Sequence, residues 1–242
     1  MIRFNQVAKI YPGGGRALDG ADFHIESGEF VFLTGPNGAG KTTVLKLLYL
    51  NETADEGEVS FTFGNDHHYS SLERIARSKI QLLRRHLGIV FQDFKLLTDR
   101  NVFENVALAL RVASVPEDLL QRRVEEVLAL TGLTDKARNL PQEISSGEQQ
   151  RVAIARAVAN NPHVILADEP TGNLDPDASR EIVRILEEIH KSGTTVIMAT
   201  HDESLIQSLP YRRIRLEWGK VVNTEEPTND FNESTRSAPS DF

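Results

Sequence analysis

The sequence predicts an α/β fold in which buried parallel strands alternate with helices and a helical insert interrupts the core. Three observations carry this expectation. An apolar run from Phe30 to Leu33 has the length of a buried strand, enters a glycine-rich turn, and continues into an apolar segment of helical length opened by Lys41-Thr42-Thr43. Two further buried-strand signals, V-I-L-A-D-E at 164–169 and T-T-V-I-M-A-T-H at 194–201, are separated by a helical stretch from Ala178 to Lys191. A helical crossover of that kind makes the strands it joins parallel. Between Phe94 and about residue 160 the pattern is helical throughout.

Taken in order, residues 2–10 and 21–26 alternate as half-buried strands do, and Glu58–Phe63 forms a third. The turn cluster Y-P-G-G-G-R between the first two carries Tyr11. Residues 64–71 are polar and predict a loop; its His67-His68 pair has no further ligand type nearby in sequence and is taken as solvated. Over 72–85, Leu72, Ile75, Ile80 and Leu83 recur at roughly helical spacing among basic residues, predicting a solvated amphipathic helix. L-G-I-V-F-Q (87–92) predicts a buried strand ending in Gln92, and Pro116 to Leu130 a helix opened by Pro and Glu. R-I-R-L-E-W and K-V-V flank Gly219 as a hairpin, and from Thr224 onward a polar composition predicts a disordered tail.

The turn after Leu33 has the spacing G-x-x-x-x-G-K-T, and its chemistry is specific. Gly35, Gly38 and Gly40, with Pro36, Asn37 and Ala39 between them, let the backbone turn tightly and aim its N–H groups at an anion. The helix that follows adds its free N–H groups and dipole. Lys41 supplies a full charge for the β- and γ-phosphates, and Thr42, followed by Thr43, offers a hydroxyl to Mg²⁺. The expected ligand is a nucleoside triphosphate. An acid pair, Asp168-Glu169, ends a second strand, where one carboxylate can hold the water shell of Mg²⁺ and the other can orient and deprotonate a water. Gln92 and His201 end two other strands with polar groups. A second Ser/Gly loop, I-S-S-G-E at 144–148, opens a helix and offers another set of N–H groups and hydroxyls to an anion.

The order of these motifs, over residues 2 to about 222, resembles the ATP-binding-cassette (ABC) ATPases. The resemblance implies a P-loop NTPase core with an N-terminal antiparallel β subdomain and an inserted α-helical subdomain. Core residues would be 1–93 and 161–223, the helical subdomain 94–160, and the tail 224–242. Tyr11 matches the aromatic that stacks on adenine, Gln92 the glutamine that senses Mg²⁺ and γ-phosphate, and I-S-S-G-E (Ser145, Ser146, Gly147, Glu148) the family signature. V-I-L-A-D-E matches the strand carrying the metal-side Asp168 and the general base Glu169; G-N-L-D places Asp175 in the loop that follows; His201 matches the switch histidine. Catalytic roles are thereby expected for Glu169, His201, Lys41 and Gln92, and metal contacts for Thr42, Gln92 and Asp168. One departure stands out: the signature usually has glycine where this chain has Ser146. If that position needs positive φ, a side chain costs about 1–2 kcal/mol there and turnover is slow.

The family resemblance also implies partners. Its ATPases close as ATP-dependent homodimers with each signature facing the other protomer's nucleotide, and they drive an integral membrane protein. The stretches F-L-T-G-P-N-G-A-G-K-T-T-V-L-K-L-L-Y and V-F-Q-D-F-K-L-L-T-D-R-N-V-F-E-N-V-A-L are most similar to the branch that serves bacterial cell division. Lipoprotein-releasing and macrolide-export ATPases share L-A-D-E-P-T-G-N-L-D, and a soluble nucleotide-gated scaffold is a third possibility. The net charge of −8 argues against a nucleic-acid surface, and the absence of cysteine excludes disulfides and thiolate chemistry. No apolar run approaches the ~20 residues that span a bilayer, so a cytoplasmic, peripheral location reached through the partner is expected.

Overall fold

The computed structural model describes residues 1–63, 67–69, 72 and 75–226. Two sheets share the core. The first is antiparallel, formed by β1 (Ile2–Ile10), β2 (Arg16–Ile25), β4 (Glu56–Phe63) and β5 (His67–Tyr69), in the order β2-β1-β4-β5. The second has six strands: β3 (Phe30–Thr34), β6 (Leu87–Val90), β7 (Val164–Asp168), β8 (Thr195–Ala199), β9 (Arg212–Glu217) and β10 (Lys220–Glu225), in the order β10-β9-β3-β8-β7-β6. Neighbours from β9 to β6 are parallel, and β10 closes one edge antiparallel to β9.

The central strands read as unbroken apolar runs because both faces of the sheet are covered. Phe30, Phe32, Ile165, Ala167, Val196 and Met198 face one hydrophobic cluster. Helices α3 (Val102–Val112), α4 (Glu117–Leu130), α5 (Ser146–Val158) and α6 (Pro176–Lys191) supply the rest of that cluster. Val31, Leu33, Val164, Leu166, Ile197 and Ala199 alternate with them and face a second cluster, shared with α1 (Lys41–Leu48) and the antiparallel sheet. With the strands parallel, the C-terminal ends of β3, β7 and β8 and the residues after β6 come to one side of the sheet. That is where open α/β sheets bind ligands.

Four local expectations are corrected. The stretch 64–71 is not all loop: His67–Tyr69 forms β5, with Tyr69 opposite Phe61 and packed on the second core cluster. A three-residue edge strand gives too short an alternation to be read against a polar background; the His67 and His68 side chains lie outside the described set. The amphipathic helix expected over 72–85 is α2 (Arg77–Arg85), because Ala76 holds extended backbone (φ −64°, ψ 140°). The second strand begins at Arg16, five residues before the alternation starts, since its first half pairs Leu18 and Arg16 with Lys9 and Ile10. At the other end, Thr224 and Glu225 belong to β10, paired with Ile214 and Arg213; the tail beyond Glu226 lies outside the described residues.

Candidate nucleotide-binding site

The loop from Gly35 to Gly40 links β3 to α1 and can be built only from glycine at its ends. Gly35 has φ 131°, and a Cβ there would sit 2.1 Å from the Leu216 carbonyl oxygen. Gly40 has φ 108°, and a Cβ would lie 2.5 Å from the Ala17 carbonyl oxygen. The loop is thus seated directly on the β9 and β2 backbones, and the Gly219 N–H donates to the Ala39 carbonyl at 3.1 Å. Gly38 (φ 79°) meets nothing within 4 Å and faces open space. α1 starts at Lys41 without a side-chain cap, so its first N–H groups are left for a ligand.

Four strand ends converge on this loop. A cleft of about 490 Å³ is walled by Ala17, Asn37, Gly38, Ala39, Gly40, Lys41, Thr42 and Thr43 together with Gln92, Glu169 and His201. Lys41 is buried and donates from Nζ to the carbonyls of Gly35 (2.8 Å) and Pro36 (3.3 Å), with Glu169 Oε1 at 3.7 Å. Glu169 is only 11% exposed at its side chain and stands between that ammonium and His201, whose Nδ1 lies 2.9 Å from Oε1. Its second oxygen, Oε2, is buried without a hydrogen-bond partner. The Glu169 backbone is left-handed (φ 45°), which a residue with a Cβ adopts only where its surroundings impose it. The imposing contact is its N–H, bound to the Ala199 carbonyl at the end of β8.

Thr42, in the cleft wall, donates from Oγ1 to Asp168 Oδ1 at 3.2 Å and so links the cleft to the end of β7. Burial raises the Asp168 pKa above the usual carboxylate range, the Thr42 hydrogen bond opposes this, and the Glu169 charge adds to it. A hydroxyl, a partly buried carboxylate and the nearby Gln92 amide are an all-oxygen donor set suited to a hard cation such as Mg²⁺. The residues present therefore fit that ion.

Tyr11 sits in the β1–β2 turn outside the residues that wall the cleft, half-buried, its hydroxyl shielded without a partner among the described residues and its ring 5.7 Å from the Lys9 ammonium. The second Ser/Gly element stands apart from the cleft. Ser145 is the N-cap of α5: its Oγ accepts the Glu148 N–H at 3.2 Å, and Glu148 Oε2 accepts the Ser145 N–H at 2.8 Å. This reciprocal box exposes the helix start and fixes it. Ser146 is the first helical residue, exposed and without positive φ. The strained alternative for Ser146 therefore does not apply. Gly147 is the tighter position, since a Cβ there would come 3.0 Å from Ala178 Cβ and α6 would have to give slightly. Ser146→Gly is accordingly expected to change phosphate release by less than about threefold, in keeping with the ±0.5 kcal/mol usual for surface substitutions. A tenfold change in steady-state turnover would instead give the Ser146 hydroxyl a ligand of its own. Asp175 caps α6, accepting the N–H groups of Asp177 (3.0 Å) and Ala178 (2.9 Å), which holds its pKa low.

Sequence reasoning missed the residues that brace the site. Gln150, fully buried in α5, donates to the Pro170 carbonyl at 2.9 Å and so ties the signature helix to the turn after Glu169. Asn105 and Arg156, described below, do the same for the segment after Gln92. A polar residue on an otherwise apolar helical face was the available signal for Asn105 and Gln150.

Parallel strands that carry a phosphate loop, an acid pair and two polar strand ends to one cleft make this a P-loop nucleotide-binding protein, with the helical insert of an ATP-binding cassette. The sequence model of the ABC transporter family matches residues 18–172. The chain is 47% identical to the cell division ATP-binding protein FtsE of Bacillus subtilis over 225 residues, 93% of this chain and 96% of that protein. It is 49% identical to FtsE of Escherichia coli over 221 residues, 91% and 97% of the two chains. A dimeric ATP-binding cassette in a post-hydrolysis state, bound to ADP and Pi, superimposes with a TM-score of 0.82 at 34% identity, covering 93% of this chain and 98% of that one. The cbiO1 protein of Clostridium perfringens, part of the ABC transporter complex cbiONQ, gives 0.82 at 30% identity over 96% and 90% of the two chains. The chain belongs to the ABC transporter family, in the group of the cell-division ATP-binding proteins FtsE.

Proposed function

We propose that this chain is the ATP-hydrolysing subunit of a cell-division complex of the FtsE–FtsX type. Two copies would close over ATP, and the closure would drive an FtsX-like integral membrane protein that controls cell-wall hydrolysis. The observation that carries the chemistry is the Lys41–Glu169–His201 constellation, set against the phosphate loop with one Glu169 oxygen free. The similarity to FtsE proteins supports the cell-division role.

Each residue has a part that follows from its position. Backbone N–H groups of Gly38 to Thr43 and the start of α1 cradle the phosphates. Lys41 exchanges its loop carbonyls for the β- and γ-phosphate oxygens. Glu169 Oε2 accepts a proton from the attacking water, and His201 orients Glu169 through Oε1 and donates toward charge that develops on the γ-phosphoryl group. Thr42, Asp168 and Gln92 would hold Mg²⁺, which supplies positive charge to the phosphate oxygens when bound. Tyr11 would stack on the base, and Ser145, Ser146, Gly147 and Glu148 would face the nucleotide of the opposite protomer.

No helix among the described residues is long and apolar enough to cross a membrane, so membrane contact runs through the partner. The segment after Gln92 offers the docking surface. Leu96 packs against the core of the insert, whereas Leu97 is 38% exposed. A short partner helix held by a few apolar anchors would use such a residue. Leu97→Asp is expected to leave the chain folded and ATP-binding but to abolish recovery of the FtsX-like protein in pull-downs from native membranes. Recovery at wild-type level would move the docking site elsewhere, and an export permease in the wild-type pull-down would replace the cell-division assignment.

A further inference from the structure

Directly after Gln92, two successive residues with side chains hold left-handed backbone: Phe94 (φ 59°) and Lys95 (φ 50°). Each such conformation is disfavoured roughly tenfold in population, because Cβ crowds the neighbouring carbonyl. A pair of them persists only where something outside the turn imposes it. Here that is one side chain. Arg156, in α5, donates from Nη2 to the Phe94 carbonyl at 2.8 Å and from Nη1 to the Lys95 carbonyl at 2.6 Å. A guanidinium is a planar fork that suits two adjacent acceptors, which an ammonium does not match. Burial lowers the Arg156 pKa, with no carboxylate offsetting it. The charge is therefore committed to two backbone carbonyls.

The next residues are fixed to the insert as well. Asn105, fully buried in α3, accepts the Leu97 N–H at 2.9 Å and donates to the carbonyls of Leu97 (3.1 Å), Arg100 (2.9 Å) and Asn101 (3.0 Å). Residues 94–101 are thus bolted to the helical insert by side chains from α3 and α5. The junction with the core sheet narrows to Phe91–Asp93, and Gln92 sits on it, in the cleft wall. The helix that supplies Arg156 is the one that begins at the Ser145 cap.

We propose that Arg156 is a positioning residue for ATP hydrolysis: by clamping the left-handed Phe94–Lys95 turn to α5, it makes Gln92 and the Ser145 end of that helix move as one body. The proposal rests on Gln92 contacting the nucleotide, as proposed above. Its action is on catalysis rather than on nucleotide affinity, since the phosphate loop belongs to the core and does not touch the clamp.

The test is steady-state phosphate release by the full chain, with Gln92→Ala as the control for the underlying role. Arg156→Lys, which keeps the charge but loses the fork, is expected to lower kcat by about tenfold while KM for ATP stays within about threefold. Lys95→Gly should be near wild type alone, and added to Arg156→Lys it should leave the loss of kcat in place, because glycine eases the left-handed turn but does not tie it to α5. Arg156→Gln, which removes the buried charge, serves where Arg156→Lys does not fold. Three outcomes overturn the proposal: unchanged kcat in both Arg156 variants, unfolding of both, or a loss that Lys95→Gly relieves, which would reduce Arg156 to a support for the shape of the turn. Wild-type turnover in Gln92→Ala overturns it differently, by removing the Gln92 role on which it depends.

Discussion

Glu169→Gln is expected to lose ATP turnover by about 10²-fold or more while keeping ATP affinity. The side chain is nearly enclosed, with one oxygen shared by His201 at 2.9 Å and Lys41 at 3.7 Å and the other without a protein partner. Glutamine matches its shape and can still meet His201 through its amide oxygen. What it cannot do is accept a proton at the free position. Binding therefore survives, chemistry does not, and the ATP-loaded dimer is expected to accumulate. Lys41→Ala has the opposite signature, because the ammonium sits among loop carbonyls and is the one full positive charge in the cleft wall besides a protonated His201. It should weaken nucleotide binding itself. Phosphate release paired with equilibrium nucleotide binding separates the two. Turnover near wild type in Glu169→Gln would remove Glu169 from the role of general base.

The residues proposed to meet the ligand were legible because their chemistry leaves short, ordered motifs. A glycine loop between an apolar strand and a helix has few other uses, and Gly35 and Gly40 prove irreplaceable for a reason that spacing alone suggests: backbone carbonyls of Leu216 and Ala17 occupy the space a Cβ would need. The buried strands were legible because parallel strands covered on both faces are apolar throughout. What the sequence hid depends on tertiary contacts. β5 is three residues long and exists through pairing with β4. Arg156 lies in a helix where an arginine ordinarily signals a solvated face; its role follows from two carbonyls about sixty residues earlier in the chain. Ser146 was ambiguous because its φ was unknown, and the helix start at that residue resolves the ambiguity in favour of an unstrained position.

Mixing a Lys41→Ala chain with a Ser145→Ala chain is expected to restore activity that neither has alone. The cleft contains the loop, acid pair, Gln92 and His201 of one chain, and its walls include none of Ser145 to Glu148. Those residues begin α5 in the insert, where the capping box occupies the Ser145 hydroxyl and fixes an exposed helix start whose remaining first-turn N–H groups can meet an anion. An element that is proposed to bind an anion but does not reach its own chain's phosphate site needs a second copy to be useful, and one solved relative is dimeric in both of its structures. In a two-fold dimer each contact is made twice, so a heterodimer of the two variants holds one site with both lesions and one with neither. Random pairing makes about half of the dimers mixed, each with one competent site, so about a quarter of wild-type activity should return. Hydrolysis by the wild-type chain should likewise rise more than linearly with concentration while monomer dominates. Activity that stays at the level of the separate variants after mixing, with dimers demonstrated by sedimentation, would mean that each chain carries its whole site.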